Sequence, residues 1–162
     1  MEVFSARRAI AAVNFDVTKT IDDESPGTLR WTITQVNNSA GANTIFFSIP
    51  TSDPYYDSTN GLWKTTLNNS LGSLPSLKDN ATTIYGYNTT PNLSGQDILI
   101  GGSQLGGSIS ILTIESDYNV IRGLTLANAL GAGAMVPLKW TLLKRFLWGW
   151  HDSLCREFRL GS

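Results

Sequence analysis

Apolar and polar residues alternate with a period of two in short runs along much of the chain. The clearest run is Ser108 to Asn128, SISILTIESDYNVIRGLTLAN. Its pairs Leu112/Ile114 and Leu124/Leu126 flank the polar turn Glu115-Ser116-Asp117-Tyr118-Asn119, and Val120 and Ile121 then restart the apolar run. A two-residue period returns side chains to the same face of a strand. A unit of this size cannot bury its apolar face alone, so it needs copies above and below it. The stretch predicts one coil of a stacked β-solenoid.

Earlier segments fit the same scheme. Phe15 to Thr20 reads as a first strand, followed by an acidic turn at Asp22-Asp23-Glu24. Ser25-Pro26-Gly27 predicts a helix start, with Ser25 as cap and Pro26 at the first helical position. Beyond it Leu29, Ile33 and Val36 share one helical face, and Asn37-Asn38 and Gly41 end the helix. Thr44 to Pro50 is a buried strand closed by proline.

The order FDVTKTIDDESPGTLRWTITQVNNSAGANTIFFSIP resembles the N-terminal region of secreted bacterial right-handed parallel β-helix repeat proteins, the pectate-lyase-like solenoids. The likeness continues through Gly61-Leu62-Trp63-Lys64-Thr65-Thr66-Leu67, Leu74-Pro75-Ser76-Leu77, Thr82-Thr83-Ile84-Tyr85-Gly86-Tyr87 and Asn119-Val120-Ile121-Arg122-Gly123-Leu124-Thr125-Leu126. It covers Asn14 to Ala129. The resemblance implies an all-β, right-handed parallel β-helix, with a helix at about 26–38 covering its N-terminal end. An uncovered end exposes unpaired backbone groups and invites self-association. The chain departs from the family at Trp31-Thr32, where a polar residue and alanine are usual, and at Tyr85, which replaces an aspartate.

After Ala129 the pattern changes. Residues 131–162 hold no Asn, Ile or Tyr, yet contain three of the five tryptophans. Lys and Arg outnumber Asp and Glu there by 5 to 2, against 7 to 11 over residues 1–130. This tail is expected to come from another reading frame or a fusion, with the natural helix truncated. A β-helix pattern missing from both alternative frames of the coding DNA would sink the frameshift version. Trp140, Leu143, Leu147, Trp150 and Leu154 lie at helical spacing, which predicts an amphipathic helix plugging or flanking the solenoid. A membrane-surface role for it is the lesser reading. Residues 1–13 are read as a leader or disordered N-terminus, residues 14–130 as the β-helix.

Composition narrows the chemistry. The 162 residues suffice for one domain, only 15% are charged, and the net charge of −1 creates no basic field for nucleic acid. The single Cys155 excludes an internal disulfide. The sole histidine, His151, stands near Asp152, Ser153 and Cys155, but neighbours along a chain do not make a triad. Gly101-Gly102 and Gly106-Gly107 frame GGSQLGG without the Lys-Ser/Thr of a phosphate cradle. Thr18-x-Thr20 and Thr32-x-Thr34 are too few for an ice-binding face. Five Asn-x-Ser/Thr triplets, at Asn37, Asn68, Asn80, Asn88 and Asn92, arise easily in so Asn-rich a chain.

No cofactor is expected, with Ca²⁺ on Asp22, Asp23 and Glu24 as the one option. Exposed aromatics could stack on sugar rings: Trp63, Tyr85 and Tyr87, with Tyr55 and Tyr56 beside them. The expectation is an extracellular or cell-surface scaffold, adhesive or carbohydrate-binding, whose partner is a polysaccharide or surface glycan. The alternative is a polysaccharide lyase or glycoside hydrolase, or part of one, with Glu115, Asp117 and Arg122 on one outer strip.

Overall fold

The computed structural model describes residues 12–89, 97–107 and 109–128, together with the backbone of two short strands at 134–135 and 158–159. The elements in order are β1 (Asn14–Val17), α1 (Leu29–Asn37), β2 (Thr44–Phe47), β3 (Tyr56–Asp57), β4 (Leu62–Thr66), β5 (Thr83–Asn88), β6 (Ile98–Gly101), β7 (Leu112–Thr113), β8 (Val120–Arg122), β9 (Leu124–Ala127), β10 (Ala134–Met135) and β11 (Phe158–Arg159). The fold is mainly β, with parallel sheets and one helix among the described residues.

One sheet runs β1-β2-β5-β8-β11 and another β3-β4-β6-β9, while β7 pairs with β10. Pairing is parallel except where β3 meets β4 and β11 meets β8. Leu77 and Ile114 add a parallel bridge on a third side. Parallel neighbours cannot be joined by a tight turn, so the chain must travel around the molecule between them.

The length of that journey varies, with 26 residues between Ile98 and Leu124 and 39 between Thr44 and Thr83, and holds at 37 between one pair of segments. Asn69 and Gly106, Ser73 and Ser110, Asn80 and Asp117, and Thr82 and Asn119 are hydrogen-bonded pairs, each 37 residues apart. Residues 73–86 thus lie in register beneath 110–123. Even the backbone repeats: Ala81 and Tyr118 both take left-handed conformations, at φ 59° and 60°.

Register places like on like. Ile45, Ile84 and Ile121 stack inside the first sheet. Trp63, Ile98 and Leu124 stack inside the second. Leu74, Leu77, Ile111 and Ile114 bring the third side into the same core. The passes approach closely at Gly86, where an added Cβ would fall 2.5 Å from the Gly123 carbonyl carbon.

Strand β1 ends at Val17, earlier than the expected Thr20, because Thr18 and Lys19 turn their N–H groups to the Gly27 carbonyl. Strand β2 likewise stops at Phe47, short of Pro50. The helix lies within the expected span and buries Leu29, Ile33 and Val36. Its cap is Thr28, not Ser25: Thr28 Oγ1 accepts from the Trp31 N–H at 3.3 Å. Gly27 at φ 89° turns the chain sharply, leaving Pro26 outside the helix.

A buried ion pair ties the helix to the loop beyond β4. Arg30 Nε and Nη2 donate to the two carboxylate oxygens of Asp22 at 2.8 and 2.9 Å. The same guanidinium donates to the carbonyls of Ser73 and Gly72 at 2.6 and 2.9 Å. Asp22 also accepts from the Asn68 N–H at 2.7 Å. The bidentate fork suits arginine, and the Asp22 carboxylate takes three donors in all.

Two substitutions test this architecture by denaturant unfolding. Asp22→Asn should cost about 3–5 kcal/mol, since it leaves the Arg30 charge buried without its partner. Gly86→Ala should cost about 1–3 kcal/mol by forcing the passes apart. Gly101→Ala, whose nearest neighbour is 3.8 Å away, should be tolerated.

Candidate functional site

Alternation along β5 turns Ile84 and Gly86 inward and Tyr85 and Tyr87 outward. Parallel register then aligns outward residues of successive strands. Phe46 pairs with Asp16 on one side, and its ring stacks on Tyr85 with centroids 5.4 Å apart and planes within 9°. Tyr85 lies opposite Arg122 on β8. Asp16, Phe46, Tyr85 and Arg122 therefore form one outer column across four strands, spaced by about 4.8 Å per strand.

Tyr87 widens the column. Its ring lies over Gly123, where a Cβ would fall 2.4 Å from the ring carbon Cζ. Gly123 sits at φ 65°, so the backbone turn and the covering ring both require glycine. The other side of Tyr87 remains open, at 44% exposure. Ser48 Oγ lies 3.3 Å from Asp16 Oδ1 at the column's far end.

The expected sugar-stacking residues divide on this geometry. Tyr85 and Tyr87 come together with Arg122 on the outer face. Trp63 does not join them: it is 1% exposed, its indole donates to the Pro50 carbonyl at 3.1 Å, and it packs on Tyr56. Only the inward phase of β4 fits an indole into the core, so Trp63 is a core residue. Tyr55 is open but lies beside the second sheet. Phe46 was not among the expected site residues. The match of Thr44-Ile45-Phe46 to Thr83-Ile84-Tyr85 is the signal that identifies it.

Glu115 and Asp117 are exposed in the turn before β8. The Glu115 N–H donates to the Leu77 carbonyl and the Asp117 N–H to Asn80 Oδ1, so their backbones join one pass to the next. Arg122 is half-buried on β8, opposite Tyr85.

The acidic turn proves divided too. Asp22 is buried against Arg30, so it is not the exposed ligand expected at this turn. Asp23 accepts from the Ser25 hydroxyl and N–H at 2.6 and 2.8 Å, and these bonds lower its pKa. No group of three or more His, Cys, Asp or Glu side chains placed to hold a metal ion occurs among the described residues. No described helix is long and apolar enough to cross a membrane.

Of the Asn-x-Ser/Thr triplets, Asn37 and Asn88 are committed to backbone partners on adjacent passes. Asn92, His151, Asp152, Ser153, Cys155 and the expected Trp140–Leu154 helix lie outside the described residues.

The second sheet carries one exposed ion pair, Lys64 with Asp57, and Asn60 donates to the same carboxylate. The Lys64 bond, then the Asn60 bond, hold the Asp57 carboxyl well below the usual aspartate range. A depressed carboxylate pKa stabilises the fold above the unfolded value of about 3.9, and that contribution fades as pH falls through the lower folded value. NMR titration of Asp57 should give a midpoint clearly below 3.9, and Lys64→Met should raise it.

No protein-family model, curated protein or solved structure matches this chain.

Proposed function

We propose that the chain is part of a right-handed parallel β-helix displayed outside the cell, whose outer face holds a polysaccharide or surface glycan without cleaving it. The β-helix reading is supported by parallel pairing in two sheets and at the Leu77–Ile114 bridge, with a 37-residue step from Leu77 to Ile114 and from Thr83 to Val120. The extracellular placement rests on the resemblance of the N-terminal segments. The observation that carries binding is the outward stack of Phe46 on Tyr85, with Tyr87 exposed beside it and Arg122 next in register.

Aromatic faces on adjacent strands offer apolar platforms for the C–H faces of pyranose rings. Arg122 places a positive charge at the end of that platform. The sheet face, with its register shift at Phe46, fixes these groups without a loop rearrangement, so binding carries little ordering cost.

Affinity electrophoresis against neutral and acidic polysaccharides tests the reading. At least one polymer should retard the protein, and Tyr85→Ala should weaken that retardation about tenfold or more, equivalent to about 1.4 kcal/mol. Circular dichroism should stay unchanged, since Tyr85 faces outward. A polysaccharide panel that leaves the protein unretarded would defeat the proposal. Release of reducing or unsaturated sugar, abolished by Glu115→Gln, would favour the lyase or hydrolase alternative.

A further inference from the structure

Asparagine is followed by glycine once in this chain, at Asn60-Gly61. The pair lies in the connection 58–61 between β3 and β4, whose flanking residues Asp57 and Leu62 face each other in antiparallel pairing. Gly61 takes the left-handed conformation there, at φ 65°, which glycine does without steric cost. Asn60 is exposed, and β3 is the edge strand of its sheet, so this tip stands outside the parallel pairing of β4, β6 and β9.

The Asn60 amide is tied to one carboxylate. Its Nδ2 donates to Asp57 Oδ2 at 2.9 Å, and its N–H donates to Asp57 Oδ1 at 3.2 Å. Lys64 Nζ donates to the same Oδ2, so an amide and an ammonium share that oxygen. The bonds between Asn60 and Asp57 are exposed to solvent, and bonds of that kind open locally at small cost. Once they open, the nearest backbone nitrogen is that of glycine, which carries no side chain to hinder ring closure.

We propose that Asn60 is a site of spontaneous covalent modification, converted to aspartate and isoaspartate by ring closure onto Gly61, which places a second negative charge beside Asp57 and Lys64. The Gly61 nitrogen bonds to Asn60 Cγ, the Cγ–Nδ2 bond breaks, and Nδ2 leaves as ammonia with the proton from the Gly61 N–H. Water then opens the cyclic imide. Attack at Cγ breaks its new bond and yields aspartate. Attack at the Asn60 carbonyl carbon breaks the original peptide bond and yields isoaspartate, with the main chain running through Cβ and Cγ. One water is consumed, one ammonia is released, and nothing is oxidised or reduced.

Either product removes the amide donor from Asp57 and puts a carboxylate in its place. The Asn60 bond helps to hold the Asp57 carboxyl low, so its loss, together with a like charge, raises the Asp57 midpoint. Isoaspartate also lengthens the main chain at the tip. That loosens the pairing of Asp57 with Leu62 and leaves β4 on β6. The modification is independent of both the glycan reading and the β-helix reading.

The test ages the full chain at mildly alkaline pH and follows its peptides by mass spectrometry, with isoaspartate detected by enzymatic methylation. Asn60 should convert before any other asparagine, with isoaspartate among the products. Gly61→Asn, which keeps a residue tolerant of positive φ, should slow the conversion severalfold. The aged form, separated by anion exchange, should show an Asp57 midpoint by NMR above that of fresh protein, and Asn60→Asp should reproduce the rise without ageing. An Asn60 that stays intact in the folded chain yet converts in urea would overturn the proposal, because the Asp57 bonds would then hold the site closed. Earlier conversion of another asparagine, or an Asp57 midpoint unmoved in the aged form, would overturn it as well.

Discussion

Everything described here depends on the parallel register between one pass of the chain and the next. Parallel strands must be joined by a long crossing, and here that crossing is 37 residues from Ser73 to Ser110. Although the crossings differ in length, the register lays inward residues of one strand on inward residues of the next. A slip of one position would turn the whole apolar set outward. The side-chain bonds between passes guard against that slip. Asn119 Oδ1 takes the Thr82 N–H at 2.9 Å, and Asn43 Oδ1 takes the Val13 N–H at 3.3 Å. These bonds lie just before strands of the same sheet, where an error in register would begin.

A buried charge is tolerated beside the helix. Helix α1 packs against β1 and places Leu29, Ile33 and Val36 in the common core. Arg30 and Asp22 add direction to that contact: three backbone carbonyls and one backbone N–H of the 68–73 loop are bound by this pair. A buried ion pair is a poor source of net stability, yet its geometry admits one docking position. Asn37 does the same at the other end of the helix, donating to the Ser76 carbonyl and accepting from the Lys78 N–H.

Much of this was legible in the sequence, and the failures have physical causes. The helix face showed itself because three apolar residues recur at helical spacing. Its cap did not, because Ser25 and Thr28 are both good caps and only the turn at Gly27 decides between them. Trp63 was misplaced because Leu62 and Trp63 are adjacent and both apolar, so alternation alone cannot tell which faces the core. The pairing of Trp63 with Ile98 decides it. Asp22 looked like part of an exposed acidic turn because its partner, Arg30, lies on the helix, and sequence pattern does not reveal that contact. Phe46 and the 37-residue step were hidden for one reason: the passes share residue types at matching positions but few identities.

Register also limits where function can reside. Inward positions are committed to stacking, and the polar residues at the turns spend their side chains on joining the passes. Asn80, Asn88 and Asn119 are examples, as is the Asp117 backbone. The outward positions of the strands are left to vary without disturbing the stack. On the second sheet the middle outward row is Lys64, Leu99 and Thr125, a mixed row with no repeated chemistry. On the first sheet the row is Asp16, Phe46, Tyr85 and Arg122, with two rings stacked at its centre. Half-buried aromatic rings on a solvent face add little to a core already filled by Ile45, Ile84 and Ile121. Their alignment places apolar faces and a guanidinium in a line along the stacking direction, and it is on this line that the proposal of glycan binding rests.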